Sequence, residues 1–289
     1  MLNQKLDNQL NLAINASAEE REKSLDLNVG FDEKENAWDV IVKYSGDIRD
    51  LTEEGVSVVP LLGNYGIVTI IQNKLQEFSK KPQVEFIEKP KRLFFAVNQG
   101  KTASCIREVQ SGRSESGEDR IGLSLNLTGK GILVGIVDSG IDVSHLDFRN
   151  GDGSTRILRY WDQSGKGIPP EGYLQGVEYT DVEINDYLRR NVVKNGADIL
   201  GSDNSGHGTA VLGIAAGNGR ASNGRYRGIA YESEIIAVKL GIPKDNSLPR
   251  TTELIQGVDY LVRQAMRLGR PMVINLSFGN NYGSHEPCN

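Results

Sequence analysis

Gly131-Ile-Leu-Val-Gly-Ile-Val137 is an almost uninterrupted apolar run, and Asp138-Ser139-Gly140 follows it at once. A strand with one wet face would alternate; a run this apolar suits a strand covered on both faces, as in a parallel sheet. Glu234-Ile-Ile-Ala-Val-Lys-Leu240 and Met272-Val-Ile-Asn-Leu-Ser277 have the same character. Helical stretches lie between them, at Gly208–Ala216 and Thr251–Leu268. The second puts Leu254, Val258, Leu261, Val262, Ala265 and Leu268 at helical spacing. Strand alternating with helix predicts a doubly wound parallel sheet of the α/β class. In such a sheet, sites form beyond the carboxyl ends of the strands, which is where Asp138 falls.

Towards the N-terminus the character changes. Residues 99–123 contain Gln99-Gly100-Lys101-Thr102-Ala103-Ser104 and Ser111-Gly-Arg-Ser-Glu-Ser-Gly117, the composition of a linker. Residues 36–98 read as a small α+β unit. Trp38–Tyr44, Val56–Leu62, Gly66–Ile71, Val84–Ile87 and Arg92–Ala96 are strand-like, and Gly63-Asn64-Tyr65 signals a hairpin. Helices are expected over residues 46–54 and, capped by Asn73, over Lys74–Lys80. The order strand, helix, strand, strand, helix, strand predicts a ferredoxin-like unit. Residues 1–35 are polar, with Leu2, Leu6, Leu10 and Ile14 at four-residue spacing. They are expected to form an amphipathic helix in a surface or packing extension. The expected organisation is therefore an extension (1–35), an α+β unit (36–98), a linker (99–123) and a parallel-sheet domain (124–289).

Composition excludes several classes. The chain has 289 residues, 38% of them hydrophobic, and a formal net charge of −5. No segment gathers a basic stripe, so no nucleic-acid partner is expected. Two cysteines, Cys105 and Cys288, make no disulfide scaffold. The N-terminus lacks the apolar core of a signal peptide, and no run of 18 apolar residues could span a membrane. No membrane partner is expected, and a cytoplasmic or spore-associated location is favoured over classical secretion.

His207 lies in Asn204-Ser-Gly-His-Gly-Thr-Ala210, ahead of a helix of small residues. Flanking glycines let backbone and substrate approach the ring, and histidine is the usual general base near neutral pH. Alone, an aspartate after a strand is a turn or cap residue, and a histidine in a glycine-rich loop is a surface residue. Together they carry a resemblance. Val134-Gly-Ile-Val-Asp-Ser-Gly-Ile-Asp142 resembles the aspartate motif of the subtilases, the subtilisin-like serine proteases, and Gly206-His-Gly-Thr-Ala-Val-Leu-Gly213 resembles their histidine motif. Val273-Ile-Asn-Leu-Ser-Phe-Gly279 resembles the strand that lines their substrate cleft. The order, aspartate before histidine, is that of subtilisin. The likeness covers about residues 125–285. Residues 36–98 resemble, more weakly, the inhibitory prodomain. The insertion with Tyr160-Trp-Asp-Gln163 and Gly176-Val-Glu-Tyr-Thr180, together with Asn281-Tyr-Gly-Ser-His285, is similar to a clostridial branch that includes the Csp germination proteases.

The resemblance implies a serine endopeptidase acting on protein or peptide substrates. Asp138 would hold the tautomer of His207, and His207 would take the proton of a serine hydroxyl. Ser277, Phe278 and Gly279 would bind substrate backbone by strand addition. The prodomain would place Arg92–Asn98 in the cleft, with processing near Gln99-Gly100. No cofactor is required. A structural calcium is implied in some members, with Asp147 at a contributing position and Gly217–Gly224 as the neighbouring loop. The chain departs from the family in one respect. Only 82 residues follow His207, whereas the subtilisin serine stands about 150 residues further on. Ser222, Ser233, Ser247, Ser277 and Ser284 all lack the Gly-Thr-Ser setting of the nucleophile. The expectation is a chain truncated before its serine and inactive alone. A pseudoprotease that binds or regulates other proteins is the alternative. Asn150-Gly-Asp-Gly-Ser154 fails as a calcium-binding EF-hand loop, because Trp161 stands where the distal glutamate is needed. Gly217–Ser222 lacks the third glycine of a dinucleotide fingerprint, which disfavours a nucleotide-binding domain. His145 and His285 have no zinc-ligand spacing.

Overall fold

The computed structural model describes residues 3–24, 26–95, 127–190, 200, 202–241 and 249–279. The expected linker and the Gln99-Gly100 processing point lie outside the described residues.

The first unit is an antiparallel sheet. Its strands are β1 (Phe31–Asp32), β2 (Ala37–Tyr44), β3 (Val56–Pro60), β4 (Tyr65–Ile71) and β5 (Val84–Glu88). β2 lies between β4 and β5, β3 pairs β4 at the edge, and β1 also pairs β2. That arrangement, β5-β2-β4-β3, is the ferredoxin-like one the element order predicts. The β3–β4 hairpin closes with Leu61 N–H donating to the Tyr65 carbonyl (2.8 Å). Gly63 and Asn64 both take positive φ there (74° and 64°), and glycine and asparagine tolerate that region best.

Both faces of this sheet are covered, which explains why its strands are so apolar. Trp38, Val40, Val42, Val68 and Ile70 point to one side, into a core with Leu75 and Phe78 of helix α3 (Leu75–Lys80). Ile41, Val59 and Ile67 point to the other. One local expectation is narrowed and two are corrected. Residues 1–35, expected as a surface or packing extension, pack: Leu6, Leu10 and Ala13 of the segment around α1 (Asn8–Asn15) are buried in the first core. Asp7 caps α1 by accepting from Leu10 N–H (2.7 Å), and its own N–H bonds to the Ile87 carbonyl (2.9 Å), adding the segment to the β5 edge. Residues 46–54 hold only a 3₁₀ turn, Ile48–Leu51, because the positive φ of Gly55 turns the chain straight into β3. Asn73 lies within a 3₁₀ turn, Gln72–Lys74, and does not cap α3. A short helix α2 (Ala18–Lys23) is closed by a Ser17–Glu20 capping box.

The second unit contains β7 (Leu133–Asp138), β8 (Ile157–Asp162), β9 (Val177–Thr180), β10 (Glu234–Lys239) and β11 (Met272–Leu276). Their order is β11-β7-β10-β8-β9, parallel throughout except for β9. Every residue of β7 is buried, as the apolar run requires. Helices cover both faces, so the sheet is doubly wound. Leu212 and Ala216 of α5 (His207–Ala216) pack on one side, where Ile184 of α4 (Asp181–Arg189) joins the same core. Tyr260 and Leu261 of α6 (Thr251–Leu268) pack on the other. Gly257 lets α6 sit close to the sheet: a Cβ there would fall 2.9 Å from Val137 Cγ1.

Candidate active site

Asp138 is the last residue of β7 and His207 the first of α5. The parallel sheet brings the carboxyl end of β7, an interior strand between β11 and β10, to the start of the helix that covers it, and 69 residues of separation close to a hydrogen bond. His207 Nδ1 lies 2.7 Å from Asp138 Oδ1. Close approach at this point depends on Gly208, where a Cβ would fall 2.0 Å from the Gly140 carbonyl oxygen and 3.0 Å from Asp138 Cβ. Both side chains are withdrawn from solvent, 1% exposed for Asp138 and 10% for His207.

Burial pushes the Asp138 carboxyl above its ordinary range, opposed by hydrogen bonds from His207 and Ser139. The Ser139 N–H donates to Oδ1 (2.7 Å), while Oδ2 is buried with no partner among the described residues. A buried carboxylate aimed at one imidazole nitrogen fixes the tautomer. Nδ1 keeps its proton against Oδ1, and the Nε2 lone pair is left to accept another.

A second aspartate, which the sequence reading passed over, holds this pair in place. Asp203 Oδ2 accepts from Thr209 N–H (2.8 Å) and Thr209 Oγ1 (2.7 Å), so it caps α5 from outside the helix. Its Oδ1 accepts from Gly206 N–H (3.0 Å), Ser139 Oγ (2.8 Å) and Ser205 Oγ (3.2 Å). Ser139 Oγ in turn accepts from Gly208 N–H (3.0 Å). The residues after Asp138 and those around His207 are thereby tied to one carboxylate. Burial acts to raise the Asp203 carboxyl, but the bonds from Thr209, Ser139 and Ser205 prevail and hold it below the usual range. An aspartate just ahead of a predicted helix is a capping signal, and it could have been read from Asp203-Asn-Ser-Gly206.

The other candidates separate. Leu276 pairs with Val137, one residue before Asp138, so Ser277 follows at the same edge of the sheet. Phe278 and Gly279 form the short strand β12, which pairs antiparallel with β6 (Phe94–Phe95). The strand expected to bind substrate backbone is therefore occupied by the chain's own segment from the first unit. Asp147 lies away from the pair, at the far end of α5, where its carbonyl accepts from Asn218 N–H (3.1 Å). Of the serines considered, Ser233 is fully buried, Ser222 donates to the Gly219 carbonyl, and Ser247 and Ser284 fall outside the described residues.

The model of the subtilase family matches residues 129–288, more than half of the chain. The chain belongs to the subtilase family. Residues 4–91 match the Csp protease B prodomain, a span that takes in α1 as well as the first sheet. Among curated relatives, Subtilisin-like protease 5 of Arthroderma gypseum is 25% identical over 255 residues, covering 86% of this chain and 51% of that protein. The major intracellular serine protease of Bacillus subtilis is 29% identical over 148 residues, covering 50% of this chain and 35% of that protein. The structure of the Clostridium perfringens CspB protease matches with 36% identity and a TM-score of 0.45, covering 55% of this chain and 31% of that one. The chain thus spans about half, or less, of the length of the relatives it matches. Among the described residues, no helix is long and apolar enough to cross a membrane.

Proposed function

We propose that this chain carries the general-base half of a serine endopeptidase, with the nucleophilic serine supplied from outside residues 1–289. The single observation that supports this most is the 2.7 Å contact between His207 Nδ1 and Asp138 Oδ1 at the carboxyl end of a buried parallel strand. In this reading Nε2 of His207 takes the serine proton as the oxygen attacks a peptide carbonyl. Asp138 stabilises the imidazolium, and His207 then returns the proton to the leaving amine. Ser277, Phe278 and Gly279 hold the substrate backbone, which must displace Phe94–Phe95 to bind. The prodomain match favours the finer reading of a Csp-type protease, for which the resemblance implies a part in spore germination.

A fluorophosphonate probe tests the proposal. The isolated 289-residue chain should remain unlabelled. The same chain, extended to include an in-frame Gly-Thr-Ser segment or mixed with a partner that supplies it, should label at one serine, and His207→Ala should slow that labelling by several orders of magnitude. Stoichiometric labelling of the isolated chain, or labelling indifferent to His207, would contradict the proposal. An extended chain that binds peptides but never labels would favour the pseudoprotease.

A further inference from the structure

At the end of α5 remote from His207, three backbone carbonyls converge on one side chain. Arg156, just before β8, is 5% exposed. Its Nη1 donates to the carbonyls of Asp147 (2.9 Å) and Ala216 (2.7 Å), and its Nη2 to that of Ser233 (2.5 Å). Ala216 closes α5, so its carbonyl belongs to the negative end of the helix dipole. Burial lowers the Arg156 pKa to about 10, opposed by the charges of Asp147, Glu234 and Glu232. The group therefore stays cationic at neutral pH.

We propose that Arg156 is the built-in cation of this corner, standing in for the calcium ion that the resemblance implies beside Asp147. A calcium ion needs six to eight oxygen ligands at about 2.3–2.6 Å. Here several of the oxygens that could supply them already accept hydrogen bonds. Asp147 Oδ1 accepts from Ala221 N–H (2.8 Å), and the Asp147 carbonyl accepts from both Arg156 and Asn218 N–H. Asn218 Oδ1 accepts from Arg220 N–H (3.1 Å). The carbonyl of Gly219 accepts from Ser222 N–H (3.0 Å) and Gly224 N–H (2.7 Å), so the loop is folded onto its own backbone. The surrounding charge also opposes a divalent cation. Lys130, Arg220 and Arg227 line the adjoining cleft with Arg156, against the single carboxylate of Glu232. The guanidinium joins the Asp147 loop, the end of the histidine helix and the approach to β10 without a metal. This inference is independent of the proposed peptidase activity.

Calcium titrated calorimetrically into the 289-residue chain, with melting curves in EDTA and in millimolar calcium, tests it. The expected result is no saturable heat and a Tm unchanged by either condition. Saturable calcium binding that raises the Tm and disappears in Asp147→Asn would overturn the proposal. Arg156→Ala, which removes the guanidinium donor from the carbonyls of Ala216 and Ser233 and leaves that of Asp147 with Asn218 N–H, should lower the Tm by roughly 5–10 °C, with partial recovery in millimolar guanidinium. An Arg156→Ala chain that melts with the parent would also overturn it. Should that variant fail to fold, the calcium titration of the parent chain decides alone.

Discussion

At the scale of single residues, the Asp138–His207 pair costs stability to maintain. Burial disfavours the ionised Asp138, so its folded pKa stands above the unfolded value of about 3.9. The folded state then binds the proton more tightly than the unfolded state, and this group's contribution falls as pH rises from the unfolded pKa through the folded one. Asp138→Asn should therefore melt above the parent at pH 7, and the gain should vanish near pH 3, where both states are protonated; paired melting curves at the two pH values measure it. Asp203 works in the opposite direction. Its hydrogen bonds favour the ionised form, so its stabilisation is present above the unfolded pKa and is lost as pH falls through the folded one. Asp203→Ala removes the outside cap of α5 and should cost about 1–2 kcal/mol in urea unfolding at pH 7. Asp138 and His207 were legible in the sequence because each lies in a local motif at the end of a recognisable element. The Asp203–Ser139 link was not, because it joins residues 64 apart through side chains that read as ordinary turn formers.

At the scale of elements, sequence period and outcome agree where one element decides its own burial. β7 reads as fully buried and is. The 18 residues of α6 match the predicted bounds, Thr251–Leu268, and the helix ends at Gly269, whose φ of +61° suits the left-handed cap position. The failures come where a neighbour decides. Residues 1–35 are polar in composition, so their four-residue leucine spacing reads as an amphipathic helix in an extension, and does not say whether that extension stays on the surface or packs. The sheet nonetheless has an open face and a free β5 edge, and Leu6 and Leu10 fill them. Leu10 is fully buried, so Leu10→Ala should cost about 2–5 kcal/mol by urea unfolding. A surface extension would lose no more than about 0.5 kcal/mol.

At the scale of the whole molecule, the two units share a core. Ile41, Val59, Leu61 and Ile67 from the first sheet lie in one cluster with Trp161, Tyr173, Tyr260 and Leu261 from the second unit. The seam also carries polar contacts. Asp259 accepts from Leu62 N–H (2.8 Å), Tyr173 Oη (2.6 Å) and Arg263 Nε (2.7 Å). Arg250 reaches Asp39 across the seam (2.9 Å) while paired with Glu253 (2.5 Å). Burial alone would lower the Arg250 pKa, but those two carboxylates hold it above its ordinary value. Asp259→Ala would leave a buried Tyr173 hydroxyl and the Leu62 N–H without their acceptor. It should cost about 2–4 kcal/mol and loosen the first sheet from α6, seen as faster amide exchange in β3 and β4. Composition implied two units, but which strand face met which helix was not legible, since the apolar residues of β2 and β4 serve both sides equally.

The central claim is that Asp138 sets His207 as a base whose proton sits on Nδ1 and whose accepting nitrogen is Nε2. Imidazole ¹⁵N NMR of the 289-residue chain measures this directly, since the sequence holds only three histidines and His145 and His285 can be assigned by substitution. At neutral pH the predicted result is a proton on Nδ1 and a bare Nε2 for His207, with the preference lost in Asp138→Asn. A proton on Nε2, or a His207 spectrum unchanged by Asp138→Asn, would contradict the account.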